Sequence, residues 1–131
     1  MARLGRALGL AMFGALVATA ASAQNSGPIK RTPLQTFDVP GTGYQTVIGL
    51  AEVAPSVNIG RHTHFGVESG YVLEGELVLL VAGEPDKPLK PGQSYVIAPG
   101  LAHDAKSGAA GAKIIATYVV EKGKPFATPA P

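Results

Sequence analysis

GRHTHFGVESGYVLEGE, residues 60–76, places two of the chain's three histidines one residue apart, with a glutamate four positions after the second. On a β-strand, residues i and i+2 point to the same face. His62 and His64 therefore project together, while Arg61, Thr63 and Phe65 face the other way. Two imidazoles at this spacing can reach one metal ion at about 2.0–2.1 Å. Gly66 lets the chain bend and bring Glu68 to the same point. A His, His, Glu set with open positions suits a divalent first-row metal and leaves room for substrate or oxygen. From spacing alone, a solvated strand edge or a pH-sensitive surface pair of histidines is an equal reading. His103, the third histidine, would join the site if a neighbouring antiparallel strand delivered it.

Outward from this stretch the chain is punctuated by turns. Its 131 residues include 17 glycines and 11 prolines, which favours many short strands over helices. Residues 34–39 read as a first edge strand and 44–53 as a strand rich in β-formers. Residues 71–73 and 77–81 read as two strands joined by a hairpin at Glu74-Gly75-Glu76. Lys90-Pro91-Gly92-Gln93 fits a type II turn, with proline second and glycine third. Residues 94–97 and 112–120 complete the set, and no helix is expected. The expectation is an all-β sandwich or small barrel around one modest cavity.

The ends read differently. Residues 1–23 carry Arg3 and Arg6, then an uncharged apolar run, then Ala21-Ser22-Ala23. This is the pattern of a secretory signal peptide cleaved near Ala23, and the apolar run is shorter than the roughly 20 residues of a membrane span. The protein is expected to be exported, periplasmic or secreted, with no membrane association after cleavage. Residues 24–33 read as a flexible arm, 34–121 as the barrel domain and 122–131 as a tail on the surface. The 11 basic and 9 acidic residues become 9 and 9 once Arg3 and Arg6 leave. No basic stripe remains to bind nucleic acid. Without cysteine there is neither a disulfide nor a lipidated thiol.

The residue pattern resembles the cupin family, whose members carry two short motifs. In the first, His62-Thr63-His64, Glu68 and Gly75 match with intervals of three and six residues. Ser56 stands where the family has a leading glycine. In the second, Gly92, Gly100 and His103 match in register, with Ala98 at the proline position and Ser107 at the asparagine position. The departures touch turns and leave the four ligand positions intact. The resemblance implies a double-stranded β-helix, or jelly-roll barrel, holding a divalent transition metal (Fe, Mn, Ni, Cu or Zn) on His62, His64, Glu68 and His103. It also implies homodimers that pair through their sheets.

Three functional readings follow. The first is a metal-dependent oxidoreductase, dioxygenase-like, acting on a small organic substrate, with Glu68 either a fixed ligand or a base. The second is a barrel that binds a small ligand without turnover. The third is a stable metal-bound scaffold for another exported protein, which nothing in the sequence favours; a metal-dependent isomerase or decarboxylase is the alternative chemistry to the first. Tyr71, Tyr95 and Tyr118 are expected mainly in the core. Gln93 and Ser107 are weak candidates for supporting hydrogen bonds. Arg61, Glu74 and Glu76 are expected at the surface, and neither Glu52 nor Asp104 has a pattern behind it.

Overall fold

The computed structural model describes residues 27–131, so the leader expected over 1–23 lies outside the described residues. Eight strands make up the fold: β1 (Ile29–Asp38), β2 (Tyr44–Val53), β3 (His62–Thr63), β4 (Gly66–Val81), β5 (Lys87–Leu89), β6 (Ser94–Ile97), β7 (His103–Glu121) and β8 (Thr128–Pro129). All pairings are antiparallel. The result is a jelly-roll barrel with no helix among the described residues. β4 and β7 pair along nearly their whole lengths, from Gly66 opposite Val120 to Val81 opposite His103. The remaining strands are laid around this long ribbon.

The Glu74-Gly75-Glu76 stretch corrects the hairpin expected there. It lies inside β4, where the register with β7 shifts between Val72 and Glu74 and again between Gly75 and Leu77. Gly75 takes φ +72, and a Cβ there would sit 2.0 Å from the Gly111 carbonyl oxygen. A glycine with positive φ serves a β-bulge as well as it serves a turn. The bulge switches which residues face inward: Glu68, Gly70 and Val72 are buried before it, and Leu77, Leu79 and Val81 after it.

β1 begins at Ile29, inside the stretch read as a flexible arm, and pairs with β2 from Ile29 opposite Val53. Pro33 obscured this strand. It lacks an N–H and is tolerated because β1 is at the sheet edge, next to a register shift between Pro33 and Gln35. The tail is likewise more than a surface strap, since β8 pairs with β3. The type II turn forms as expected: Gly92 takes φ +89 and the Gln93 N–H donates to Lys90 O at 3.0 Å.

Val53, Val72, Leu77, Leu89, Ile97 and Ile114 belong to the buried core. One inward row is unusually small. Gly49 lies opposite Ala116, and Ala116 opposite Gly70. With Ala51, Ala105 and Ala116 lining the space, a cavity of about 520 Å³ remains inside the barrel.

Candidate metal centre

Strand pairing brings the three histidines together. His62 on β3 lies directly opposite His103 at the start of β7. His64 follows one residue beyond β3, and Glu68 is an inward residue of β4. One potential ligand atom from each of His62, His64, Glu68 and His103 lies within 4.8 Å of every other. His64, Glu68 and His103 are buried, at 4%, 5% and 2% exposure, so their polar atoms need partners within the protein or a ligand.

The outer nitrogens settle the tautomers. His62 Nδ1 lies 2.6 Å from Gly60 O, His64 Nδ1 2.6 Å from Phe126 O, and His103 Nδ1 2.9 Å from Leu101 O. A carbonyl only accepts, so each Nδ1 carries the proton and donates. In the neutral ring each Nε2 then presents a lone pair inward, the arrangement that metal-binding histidines use.

Inside, His62 Nε2 and His64 Nε2 are 3.1 Å apart, and Glu68 Oε2 lies 3.1 Å from His64 Nε2 and 3.0 Å from His103 Nε2. Lone pairs converging at this distance repel unless a proton or a cation lies among them. Neighbouring ligands bound at about 2.1 Å, at right angles, stand about 3.0 Å apart. The donor set therefore fits a divalent transition cation.

Without a cation, protons take over part of that role. Burial disfavours the Glu68 carboxylate, but hydrogen bonds from His103, His64 and Tyr95 outweigh it and hold the pKa down to about 2. Burial also disfavours a charged His103, yet its hydrogen bond to Glu68 leaves the pKa above the ordinary histidine value. His62, desolvated and beside two other imidazoles, is lowered.

Tyr95 supports the set. Its hydroxyl donates to Glu68 Oε1 at 2.8 Å, leaving Oε2 for the histidine side. Gly70, opposite Tyr95 in the register, makes room for this reach: a Cβ there would lie 2.3 Å from the Tyr95 ring. Burial first, then the Glu68 charge, raise the Tyr95 pKa well above the usual range, so it remains a donor. Tyr118 also lines the cavity, packs 5.0 Å from His64 between ring centres and is raised by burial. Tyr71 is exposed, contrary to a core role.

Other candidates serve elsewhere. Ser107 accepts from Val57 N and donates to Ala54 O, while Gln93 accepts from Lys90 N within its turn. Glu52 pairs with Lys30 and Glu74 with Lys113. Asp104 accepts from Asn58 and Gly60 and braces the loop before His62. Arg61 is exposed as expected, but it borders the cavity. Sequence reasoning missed Phe126 and Arg31. Phe126 reaches the site from the tail and has no local pattern; Arg31 was hidden by the assignment of residues 24–33 to an arm.

The family model for the cupin domain matches residues 49–121. No curated protein matches the sequence. Among solved structures, the chain is similar to an RmlC-like cupin from Shewanella frigidimarina NCIMB 400, at 22% identity and TM-score 0.60, covering 76% of this chain and 82% of that one. It is similar to the DMSP lyase DddQ from Ruegeria pomeroyi DSS-3, at 16% identity and TM-score 0.60, over 65% of this chain and 43% of that one. It is also similar to a recombinant oxalate oxidase solved with glycolate, at 22% identity and TM-score 0.62, over 89% of this chain and 62% of that one. The chain thus spans less than two thirds of the lyase and of the oxidase, and the likeness shows a shared fold.

Proposed function

The chain belongs to the cupin family, and from that premise we propose that it is a metal-dependent oxidoreductase acting on a small organic substrate. The observation that carries the reading is the convergence of three inward Nε2 atoms and one carboxylate at a single point of the cavity wall. His62, His64, Glu68 and His103 would hold the metal. A bound transition metal supplies Lewis acidity, with access to one-electron chemistry where iron, manganese or copper is the ion.

The protein's own groups define the rest. The outward hydrogen bonds of the three imidazoles fix their tautomers. Tyr95 holds Glu68 in place, which favours a fixed ligand over a mobile base. Phe126, Ile114 and Ala116 give the cavity an apolar wall. Export supports a setting in which the metal is acquired after folding, and the leader-like residues 1–23 support export. The exposed outward residues Val67, Tyr71 and Val96 support pairing with a second copy.

A second reading, ligand capture without turnover, is favoured by one observation. Beyond the four ligands, the titratable residues lining the cavity are Tyr95, Tyr118, Arg31 and Arg61, none of them a base near neutral pH.

The test is elemental analysis of protein purified from the exported compartment, beside His62→Ala/His64→Ala, followed by oxygen uptake with small phenols and diketones. About one equivalent of metal, lost in the variant, with metal-dependent oxygen consumption is expected. Metal without turnover would favour capture; no metal after reconstitution would end both metal-based readings.

A further inference from the structure

The charge of the cavity wall narrows what it can hold. Among the described residues, Glu68 is the one acidic residue lining the cavity, and it is already engaged by Tyr95 and two histidines. A divalent ion on three neutral imidazoles and one carboxylate leaves one positive charge in excess. Two further positive residues, Arg31 and Arg61, line the same space. The rest of the lining is mainly apolar.

Arg31 is placed there by register. It lies opposite Ala51, which lies opposite Ile114, and all three residues line the cavity. Directly opposed residues project from the same face of a sheet, so Arg31 shares the cavity-lining face while remaining exposed to solvent. Its charge acts on the half-buried Tyr118, itself a near neighbour of His64. The adjacent Lys30 projects to the other face and is satisfied by Glu52 at 3.2 Å. Lys113 and Lys122 also have carboxylate partners. Among the described residues, no acidic side chain pairs with Arg31.

We propose that Arg31 forms an anion subsite, and that the cavity takes a small organic carboxylate whose charged end meets Arg31 while its apolar body lies against Ala51, Ile114 and Ala116 toward the metal ligands. The guanidinium fork matches a carboxylate in two parallel hydrogen bonds. The cavity, at about 520 Å³, falls within the usual range for a small-molecule pocket. The inference deepens the oxidoreductase reading by naming its substrate class, and rests on that reading's assignment of the cavity as the substrate site.

The test is calorimetric titration of the metal-loaded protein with benzoate and with benzamide, its neutral analogue of similar shape. Arg31→Ala and Arg31→Lys are measured alongside, with their folding checked by circular dichroism and their metal content by elemental analysis. Wild type should bind benzoate at least roughly tenfold more tightly than benzamide. Arg31→Ala should lose that preference, and Arg31→Lys should recover part of it. Equal affinities in wild type, no benzoate binding at all, or a preference that survives in Arg31→Ala would each overturn the subsite. Oxygen uptake separates the two readings. Charge-selective binding without turnover removes the oxidoreductase and keeps the subsite; turnover of neutral substrates with no charge preference does the reverse.

Discussion

The Nδ1 of His64 donates to the backbone carbonyl of Phe126, 62 positions away in the chain, at 2.6 Å. The tail therefore orients a candidate metal ligand. β8 seats it by pairing Thr128 with Thr63 and Pro129 with His62, and Ala130 N donates to Arg61 O. The Phe126 ring adds edge contacts to His64 and Tyr118. Removing residues 124–131 should weaken metal binding about 10–100-fold, the usual cost of losing a group that orients a ligand. Competition titration against a chelator reads the affinity, and circular dichroism reports the barrel. Unchanged affinity in a folded truncation would rule out this role for the tail.

Gly70 and Tyr95 form a matched pair. Gly70→Ala would set a Cβ 2.3 Å from the Tyr95 ring, and overpacking of this kind costs about 1–3 kcal/mol. Tyr95→Phe keeps the ring and removes only the donor to Glu68. It should destabilise metal-free protein by about 1–3 kcal/mol, because a buried charged acceptor loses its partner. Denaturant unfolding measures both. A neutral Gly70→Ala would show that the ring can move aside.

Glu68 sets an acid limit on metal-free protein. Its folded pKa of about 2 is below the model-peptide value of 4.5. The group therefore contributes stability that is fully present above pH 4.5 and lost as pH falls toward 2. The contribution is on the order of 3 kcal/mol. His103 has the opposite sign: its raised pKa gives stability that is present below 6.5 and lost as pH rises through the folded value. Melting curves of metal-free wild type and Glu68→Gln should converge between pH 4.5 and 2. A constant gap across that window would contradict the assignment.

The metal preference should follow the donor atoms. Three imidazoles and one carboxylate give a site whose affinity for divalent ions rises toward copper, with zinc also high. Protein refolded in an equimolar mixture of manganese, iron(II), copper and zinc should retain mainly copper or zinc. Mass spectrometry of the desalted protein reads the outcome, and exclusive retention of iron or manganese would refute it.

Ser56 takes φ 57, the one positive φ at a non-glycine position among the described residues. That conformation costs an L-residue roughly 1–2 kcal/mol, which glycine avoids. Ser56→Gly should therefore stabilise the fold by up to about 1 kcal/mol after glycine's larger backbone entropy is subtracted. Thermal melts test this, and a lower melting temperature would show that the serine side chain contributes something larger.

Local pattern made part of this architecture legible. His62 and His64 share a face through strand period, and the β-rich segment over 112–120 is within β7. The spacing to Glu68 and His103 was readable through the family resemblance. Contacts between distant segments were not. Nothing near Phe126 announces that its carbonyl meets His64, and nothing near Tyr95 announces Glu68. Glu74-Gly75-Glu76 was misread because a positive-φ glycine looks the same in a bulge as in a turn. Pro33 masked β1 because proline argues against a strand except at an edge, and only the sheet order shows that β1 is one.

The small residues that line the cavity, Ala51, Ala105 and Ala116, make it by omission. At those three positions the side chain is a methyl group. The cavity's capacity is therefore separable from its chemistry. An Ala116→Val or Ala51→Val exchange would shorten the longest molecule that fits, while the imidazoles stayed on other strand positions. The barrel sets the length of its cavity in residues apart from the histidine cluster, so its capacity can change without rebuilding that cluster.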